Sequence, residues 1–308
     1  MKMIESSPAW HFQIDYKSSK EGSIMEPFFS KEMTPDLAEI CGIHAGDGHL
    51  RKRDNVRRLL CLDGSVDEKE YYDTHVVPLF ERTFGIKVKP RFFPSRHTYG
   101  FSVSNRKVCG LIHSLGFPYG KKTVSVKVPE VILQSNDLGV IYRFIRGVFD
   151  TDGTVCFRRR KRLRGKSENA NRHTYPRILL DVCSKDLCFG LGELLLKTGV
   201  FRFNISSQRA KGNRKKKYKL CIAGDKNLLL WVHNIGFKNN VKHNRILIWD
   251  KFGFNPPKLT LNHQLEILSG KIDPNIFYKD GEFYHEREES VIARNKQLLR
   301  KMIEVSDT

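Results

Sequence analysis

The stretch Gly42-Ile-His-Ala-Gly-Asp-Gly-His-Leu50 returns in altered form as Gly147-Val-Phe-Asp-Thr-Asp-Gly-Thr-Val155. Both copies have the order glycine, aliphatic residue, two variable positions, small residue, Asp, Gly, one variable position and aliphatic residue. The two acids, Asp47 and Asp152, lie 105 positions apart. A single Asp-Gly pair is usually no more than a turn. Two copies at this spacing, each ending an apolar helical run, predict a tandem duplication with one carboxylate in each half.

Two further pairs of segments support the duplication. A short apolar run that ends in Ser-x-Asp occurs at 59–67 and again at 178–186, which suits a strand followed by a helix N-cap. One predicted helix in each half ends at a glycine, Gly116 in the first and Gly236 in the second, 120 positions apart. The sequence of each half therefore predicts the element order helix, hairpin, helix, hairpin, helix, in an α+β fold.

Composition favours a polyanionic partner. The 308 residues include 54 Lys and Arg against 34 Asp and Glu, a formal charge of +20 at pH 7. Nucleic acid is the leading candidate, and a basic surface without a dedicated partner is the alternative. The seven cysteines form no CxxC pair and mostly lie in apolar runs, which indicates a reducing compartment rather than a zinc ribbon. Without a signal peptide or an apolar run of about 20 residues, an intracellular protein with no membrane contact is expected.

The pattern predicts four segments: an N-terminal extension at 1–33, a first repeat at 34–133, a second repeat at 134–253 and a C-terminal extension at 254–308. Strands in both repeats alternate basic with apolar residues, which places cations on one sheet face. A two-stranded ribbon of this kind fits the major groove of DNA. The basic residues predicted to bind DNA are Arg51, Arg53, Arg57, Lys87, Lys89, Arg91, Arg158, Arg159, Arg160, Lys161, Arg202, Lys217 and Lys219.

The motif helices have small residues four positions apart, Gly42 with Gly46 and Gly147 with Thr151. Two such faces can pack with their backbones in contact, which would bring Asp47 and Asp152 together at one end of the pair. Carboxylates in close contact repel unless a cation neutralises them, and a hard divalent ion, Mg²⁺ above all, suits oxygen ligands. Such an ion can activate water for phosphodiester hydrolysis. The alternative is a pair of ordinary helix ends with solvated acids.

These residues resemble the LAGLIDADG homing endonucleases in their single-chain form with two motifs. Ile40–Gly48 and Ile145–Gly153 occupy the nine motif positions, and the resemblance covers about residues 34–253. It implies tandem αββαββα repeats that form a pseudo-twofold saddle of antiparallel strands, with the motif helices packed at the interface. It also implies a monomer that makes metal-dependent double-strand breaks with short 3′ overhangs at a long, nearly symmetric DNA site. The backbone carbonyls of Gly46 and Thr151 would join the metal shell, and Mn²⁺ would substitute for Mg²⁺.

The repeat also suggests a second catalytic pair. With Gly116 aligned on Gly236, Lys122 corresponds to Lys242. Two lysines can coincide by chance in so basic a chain, but the resemblance implies a lysine after this helix near the scissile phosphate. Its ammonium would stabilise the developing negative charge or help to activate water.

The chain departs from the family pattern at several positions. Ala45 replaces the sixth-position acid, which Asp150 retains, and the region after the second strand offers neither the Gln nor the Lys that many members have there. The absence of an intein-type Cys or Ser at the N-terminus predicts a free-standing, intron-encoded protein. Two other functions use the same scaffold: an RNA-binding intron maturase, and a DNA-binding regulator that does not cleave.

Overall fold

The two motif segments form a pair of helices. The computed structural model describes residues 33–52, 58–159, 172–208, 215–279 and 282–283. Helix α1 (Pro35–Gly46) begins after Thr34, whose hydroxyl accepts a hydrogen bond from the backbone N–H of Leu37 at 3.2 Å, as the sequence predicts. Helix α6 (Leu138–Thr151) is its counterpart. Each helix ends directly before its motif aspartate.

The remaining elements follow the predicted order in both repeats, and each repeat ends with one further helix that the sequence pattern does not predict. The first repeat contains β1 (Gly48–Lys52), β2 (Arg58–Ser65), a helical run over 66–84, β3 (Arg91–Phe93), β4 (Thr98–Val103), α4 (Arg106–Ser114) and α5 (Glu130–Leu133). The helical run consists of a 3-10 turn (Val66–Glu68), α2 (Lys69–Tyr71), a π-helical turn (Tyr72–Val76) and α3 (Val77–Phe84). The second repeat contains β5 (Gly153–Arg159), β6 (His173–Val182), α7 (Lys185–Thr198), β7 (Phe203–Gln208), β8 (Lys217–Ala223), α8 (Asp225–Asn234) and α9 (Asn240–Phe252).

Two antiparallel four-stranded sheets have the same strand order, β1-β2-β4-β3 and β5-β6-β8-β7. This confirms the α+β fold with two repeats. The motif glycines set the register, since Gly48 pairs with Leu62 and Gly153 pairs with Leu180. In three dimensions Asp63 therefore corresponds to Asp181. The sequence alignment, which matches Asp63 with Val182, is wrong by one position because the second repeat has an extra residue before its helix.

One face of each sheet is buried. Leu60 and Leu62 of β2, and Ile178 and Leu180 of β6, are at most 1% exposed. Their neighbours along each strand lie on the opposite, open face, which carries Asp63, Arg177 and Asp181 as well as the buried Cys61 and Leu179. The alternation seen in the sequence therefore corresponds to a buried and an open face, as a period of two requires.

The structure corrects two predicted strands and one connection. The sequence pattern predicts a strand over Ile86–Phe93, but the strand starts only at Arg91, since Pro90 has no N–H for a sheet hydrogen bond. It also predicts a strand over Phe201–Ser207, and that strand starts at Phe203. The connection before the second repeat, predicted to be largely extended, contains the helical turn α5 directly after Pro129. Pro is compatible with a helix start, and this explains the difference.

Part of the predicted C-terminal extension packs on the second repeat. Helix α10 (Leu261–Leu268) lies against α9, and Ile248, Leu259 and Ile267 form a buried cluster there. The predicted N-terminal extension at 1–33 lies almost entirely outside the described residues.

Helices α1 and α6 are in backbone contact. A Cβ atom added at Gly42 would lie 2.3 Å from the carbonyl oxygen of Phe144, and one at Gly147 would lie 2.4 Å from that of Glu39. Only glycine allows this approach, because any side chain would force the helices apart. The small-residue faces predicted from the sequence therefore do form the interface between the repeats.

A buried ion cluster lies at the N-terminal end of the same interface. The Glu39 carboxylate, fully buried on α1, accepts hydrogen bonds from Arg146 Nε and Nη2 at 2.9 and 2.8 Å. It also pairs with Arg143 Nε at 2.7 Å and with His75 Nε2 at 2.7 Å. Charge pairs of this kind stabilise a buried acid that would otherwise be strongly destabilising.

Candidate functional site

The motif acids lie where the C-terminal ends of α1 and α6 meet. A Cβ atom added at Gly46 would lie 2.1 Å from Thr151 Oγ1 and 3.4 Å from Asp152 Cγ. Burial raises the pKa of Asp47 to about 8, and the negative charges of Glu68 and Asp152 add to the rise. The structure thus brings the two predicted acids close enough to repel each other, as the packing of the small residues implies.

Two lysines lie at this site, one at the C-terminal end of each motif helix. The Lys122 ammonium donates to the carbonyl oxygens of Ala45 and Gly46, at the end of α1. The Lys242 ammonium donates to those of Phe149 at 3.1 Å and Thr151 at 2.7 Å, and also to Asp150, at the end of α6. A cation at a helix C-terminus is favourable, since the unpaired carbonyls there are partially negative.

These contacts agree with the sequence alignment that matches Lys122 with Lys242. Burial lowers the pKa of Lys122 to about 8, although the charges of Asp152 and Asp47 oppose this decrease. Burial also lowers the pKa of Lys242. Both ammoniums contact helix carbonyls, including those of Gly46 and Thr151 that the resemblance assigns to a metal shell. Their catalytic role stays a prediction.

Asp47 has polar neighbours from the helical run of its own repeat. The Tyr72 hydroxyl donates to Asp47 Oδ2 at 3.0 Å. Asp47 Oδ2 and Glu68 Oε2 both lie against Gly64, where a Cβ atom would be 2.6 and 2.7 Å from them. Tyr72 starts the π-helical turn, a distortion found often at functional sites.

Asp152 has a different environment. Since Ser65 and Ser184 occupy the same N-cap position, Leu187 and Leu191 stand where the first repeat has Glu68 and Tyr72. Both leucines are fully buried. Asp152 itself is exposed, whereas Asp47 is partly covered. The two acids are therefore related by the duplication but not by their surroundings.

Asp150, the retained sixth-position acid, supports the start of α9. Its carboxylate accepts hydrogen bonds from the backbone N–H of Lys238 at 3.1 Å and of Asn239 at 3.1 Å. Burial raises its pKa to about 7, while the Lys242 charge and these hydrogen bonds oppose the rise. Asn239 is the N-cap of α9, so Asp150 helps to fix the helix that carries Lys242.

The donor set fits a hard divalent cation. The carboxylates of Asp47 and Asp152 lie close together. Oxygen ligands of this type are those that Mg²⁺ prefers, and a cation there would relieve the repulsion that raises the Asp47 pKa. Among the described residues, no group of three or more His, Cys, Asp and Glu has the geometry of a complete metal site.

The predicted DNA-binding residues of the first sheet lie partly on its open face. Arg51 on β1 and Arg91 on β3 are exposed there, and the Arg91 guanidinium lies 5.0 Å from the Phe93 ring. Lys87 and Lys89 are exposed but precede the strand. Arg53 and Arg57 lie outside the described residues.

The second sheet presents more cations on its open face. Arg158 and Lys217 are exposed there, and Lys219 Nζ lies 3.4 Å from Asp181 Oδ2. Arg159 is half-buried at the end of β5, and Arg202 is exposed just before β7. Arg160 and Lys161 lie outside the part of the chain that the structure describes.

Several residues of the site were missed by the sequence analysis. Glu68 and Tyr72 contact the Asp47 side, and Asn239 donates from Nδ2 to Glu68 Oε1 at 2.7 Å. Arg177 on β6 lies on the open face, with Nη2 3.1 Å from Cys221 Sγ. The alternation of polar and apolar residues along β6 could have identified Arg177 from the sequence. No local pattern identifies Glu68 or Asn239.

The curated relatives match the chain over only part of their own lengths. The chain is 27% identical over 220 residues to the replication factor C small subunit of Methanocaldococcus jannaschii, which covers 71% of this chain and 10% of that protein. It is 27% identical over 234 residues to the protein of the same name from Thermococcus kodakarensis, covering 76% of this chain and 23% of that protein. A probable translation initiation factor IF-2 of M. jannaschii is 28% identical over 193 residues, which is 60% of this chain and 15% of that protein. No family model matches the chain.

Solved structures with a related shape include homing endonucleases. Mesophilic variants of I-DmoI give a TM-score of 0.45 at 17% identity, over 66% of this chain and 95% of theirs. I-WcaI bound to its DNA recognition sequence gives 0.42 at 15% identity, over 70% of this chain and 88% of that one. The N-terminal LAGLIDADG domain of WhiA gives 0.39 at 12% identity, over 68% of this chain and 84% of that domain.

No helix within the described ranges combines the length and apolar character that crossing a bilayer requires.

Three features of the structure are those that the sequence resemblance implies. They are the repeated sheet order, the glycine contact between the motif helices and the aspartate that follows each motif helix. These features agree with the tandem αββαββα fold that the resemblance to the two-motif LAGLIDADG homing endonucleases implies.

Proposed function

We propose that the protein is a site-specific DNA endonuclease that uses a divalent metal ion, Mg²⁺ or Mn²⁺, to cut both strands of a long, nearly symmetric target. The observation that carries this proposal is the meeting of Asp47 and Asp152 at the ends of two packed helices, with one lysine beside each end. A duplicated acid and a duplicated lysine supply one set of groups for each DNA strand.

The residues at this site have distinct roles in the proposal. Asp47 and Asp152 would hold the metal ion, which would activate water for attack and stabilise the leaving oxygen. Lys122 and Lys242 would each donate a hydrogen bond to a phosphate oxygen as negative charge develops on it. The cations on the open sheet faces would bind the phosphate backbone on either side of the cut.

The comparisons add a separate argument for a mobile module. Relatives named as a replication factor subunit and as an initiation factor share a segment with this chain that makes up 10% and 15% of their lengths. A segment that occurs within proteins of unrelated names behaves as an independent unit, which is the distribution expected of a homing endonuclease. We extend the proposal to homing of an intervening sequence, and neither replication nor initiation is proposed for this chain.

The test uses duplex DNA recovered from a randomised library by binding to the protein in Ca²⁺, which supports binding but serves hydrolysis poorly. In Mg²⁺ the parent protein should cut the recovered DNA on both strands, and chelation should stop it. Asp47→Asn and Asp152→Asn should each lower double-strand cutting by about a thousandfold or more, since the metal supplies several kcal/mol of transition-state stabilisation. Binding in Ca²⁺ should stay within about tenfold of the parent.

The matched control is Asp250→Asn, which removes an exposed acid on α9 away from the site and should cut at the parent rate. Cleavage by Asp47→Asn or Asp152→Asn at the parental rate would contradict the site assignment. A parent protein that binds the recovered DNA but never cuts it in Mg²⁺ or Mn²⁺ would contradict the function.

A further inference from the structure

The two site lysines differ in how many of their hydrogen bonds are already used. An ammonium has three N–H donors. Lys242 donates to three carbonyl oxygens at the end of α6 and is 6% exposed. Lys122 donates to two carbonyl oxygens at the end of α1 and is half-buried. Among the described contacts, Lys122 therefore keeps one donor for an incoming phosphate, whereas Lys242 has none.

Glu68 contributes to this difference from across the interface between the repeats. Its Oε1 lies 3.8 Å from Lys242 Nζ and accepts a hydrogen bond from Asn239 Nδ2 at 2.7 Å. Asn239 is the N-cap of α9, and Lys242 lies in the first turn of that helix. Glu68 thus contacts both the ammonium of Lys242 and the start of the helix that carries it.

The Glu68 side chain is itself held in place. Its Oε2 accepts a hydrogen bond from the backbone N–H of Ser65 at 3.2 Å, which completes a capping box. The corresponding residue in the second repeat is the buried Leu187, which has no charge to hold Lys122. The restraint therefore acts on only one of the two lysines.

Resting on the proposed endonuclease function, we propose that Glu68 is a positioning residue that makes the two halves of the site unequal. It holds Lys242 against the end of α6, so the strand that Lys122 serves is cut first and a nicked duplex accumulates. Lys242 reaches its phosphate only after it gives up an existing contact, whereas Lys122 can use its free donor. Glu68 itself need not touch the DNA.

The experiment measures the nicking rate of each strand separately, on end-labelled duplex recovered by binding in Ca²⁺ and then cut in Mg²⁺. The parent protein should nick one strand about two- to fivefold faster than the other, the range expected from one weak ionic contact. Glu68→Gln keeps the shape and the acceptor for Asn239 but removes the charge, and should bring the ratio of the two rates towards one. Glu68→Leu, which copies Leu187, should change the ratio in the same direction.

The control is Glu70→Gln. Glu70 is an exposed acid two residues away whose Oε2 accepts from Asn240 Nδ2, so the variant removes the same charge across the same interface without contacting Lys242. Its strand ratio should equal that of the parent. A general loss of folding would slow both strands alike, so the ratio separates positioning from a purely structural effect.

Three results would overturn the proposal. The first is equal nicking of both strands by the parent protein. The second is a strand ratio in Glu68→Gln and Glu68→Leu that matches Glu70→Gln. The third is equal slowing of both strands by Glu68→Gln. A parent protein that cuts neither strand would instead contradict the endonuclease function on which this proposal depends.

Discussion

The two repeats have the same strand order and end their motif helices at an aspartate, but they differ in what surrounds that aspartate. The first repeat covers Asp47 with Glu68 and Tyr72, whereas the second has Leu187 and Leu191 at those positions and leaves Asp152 exposed. The duplicated backbone is thus nearly symmetric, and the asymmetry lies in side chains near the interface. Backbone geometry tolerates many side chains, so this is where two copies can diverge without loss of the fold.

The motif helices show the same divergence at their other ends. Position by position, Glu39 of α1 corresponds to Phe144 of α6, and Arg143 and Arg146 of α6 correspond to Ala38 and Cys41 of α1. The ion cluster therefore joins unlike helices. Two copies of α1 would bury Glu39 without an arginine partner, at a cost of several kcal/mol. The cluster therefore favours pairing of α1 with α6 over pairing of two identical helices.

The largest effect on stability is expected from breaking this cluster. Glu39→Gln should lower the free energy of unfolding by about 3–5 kcal/mol, since it leaves Arg146 and Arg143 largely buried beside a neutral group. Chemical denaturation followed by circular dichroism measures the change.

Asp181→Asn is the matched control for this substitution. Asp181 lies on β6, outside the cluster, and pairs with Lys219 at 3.4 Å, and its side chain is 41% exposed. The expected cost is about 1 kcal/mol or less, as for solvent-exposed ion pairs. Equal effects of the two substitutions would show that the buried cluster does not select the pairing of unlike helices.

The next effect concerns the lysines that the duplication makes equivalent. Lys122→Met and Lys242→Met should each slow one DNA strand by about a hundredfold, the usual size of a lost catalytic hydrogen bond or proton transfer. The two variants should affect opposite strands and accumulate nicked duplex, while binding in Ca²⁺ is retained. Gel analysis of each labelled strand gives the two rates.

The competing role for these lysines is structural, because each ammonium caps helix carbonyls. In that case both strands would slow equally and the temperature of thermal unfolding would fall. Melting curves of the two variants, measured beside the cleavage rates, distinguish the two roles.

A smaller effect is expected at His44, whose counterpart in the second repeat is Phe149. His44 is fully buried, and neither ring nitrogen has a hydrogen-bond partner within the described structure. Phe149 fits against Gly153 in the second repeat as His44 fits against Gly48 in the first. His44→Phe should therefore raise the free energy of unfolding by about 1–2 kcal/mol, the cost of an unsatisfied buried polar group.

The same substitution should change how the free energy of unfolding depends on pH. Burial and the nearby Lys122 charge lower the pKa of His44 well below its ordinary value of 6.5. As the pH falls below 6.5, the unfolded chain binds a proton that the folded chain does not, so stability decreases towards acid pH. His44→Phe should reduce this loss, and Phe149→His should introduce a similar one. A His44→Phe protein that is less stable than the parent at pH 7 would show that the pocket cannot accept the larger ring.

Much of the site follows from local sequence. The repeated Asp-Gly after an apolar helix and the small residues four positions apart predict the motif helices, their contact and the meeting of Asp47 with Asp152, and Thr34 marks the start of the first helix. These features are encoded within one or two helical turns. The correspondence of Lys122 with Lys242 follows from the repeat, which is also visible without a structure.

Tertiary structure alone decides which residues surround each acid. Glu68 and Asn239 are 171 positions apart and meet only because α1 and α6 pack through their glycines. Glu39 and Arg146 are 107 positions apart and form their pair for the same reason. Local propensity and periodicity extend over a few residues, so they determine which helices and strands form. The contacts between distant residues depend on how those elements pack, and it is these contacts that make the two halves of the site unequal.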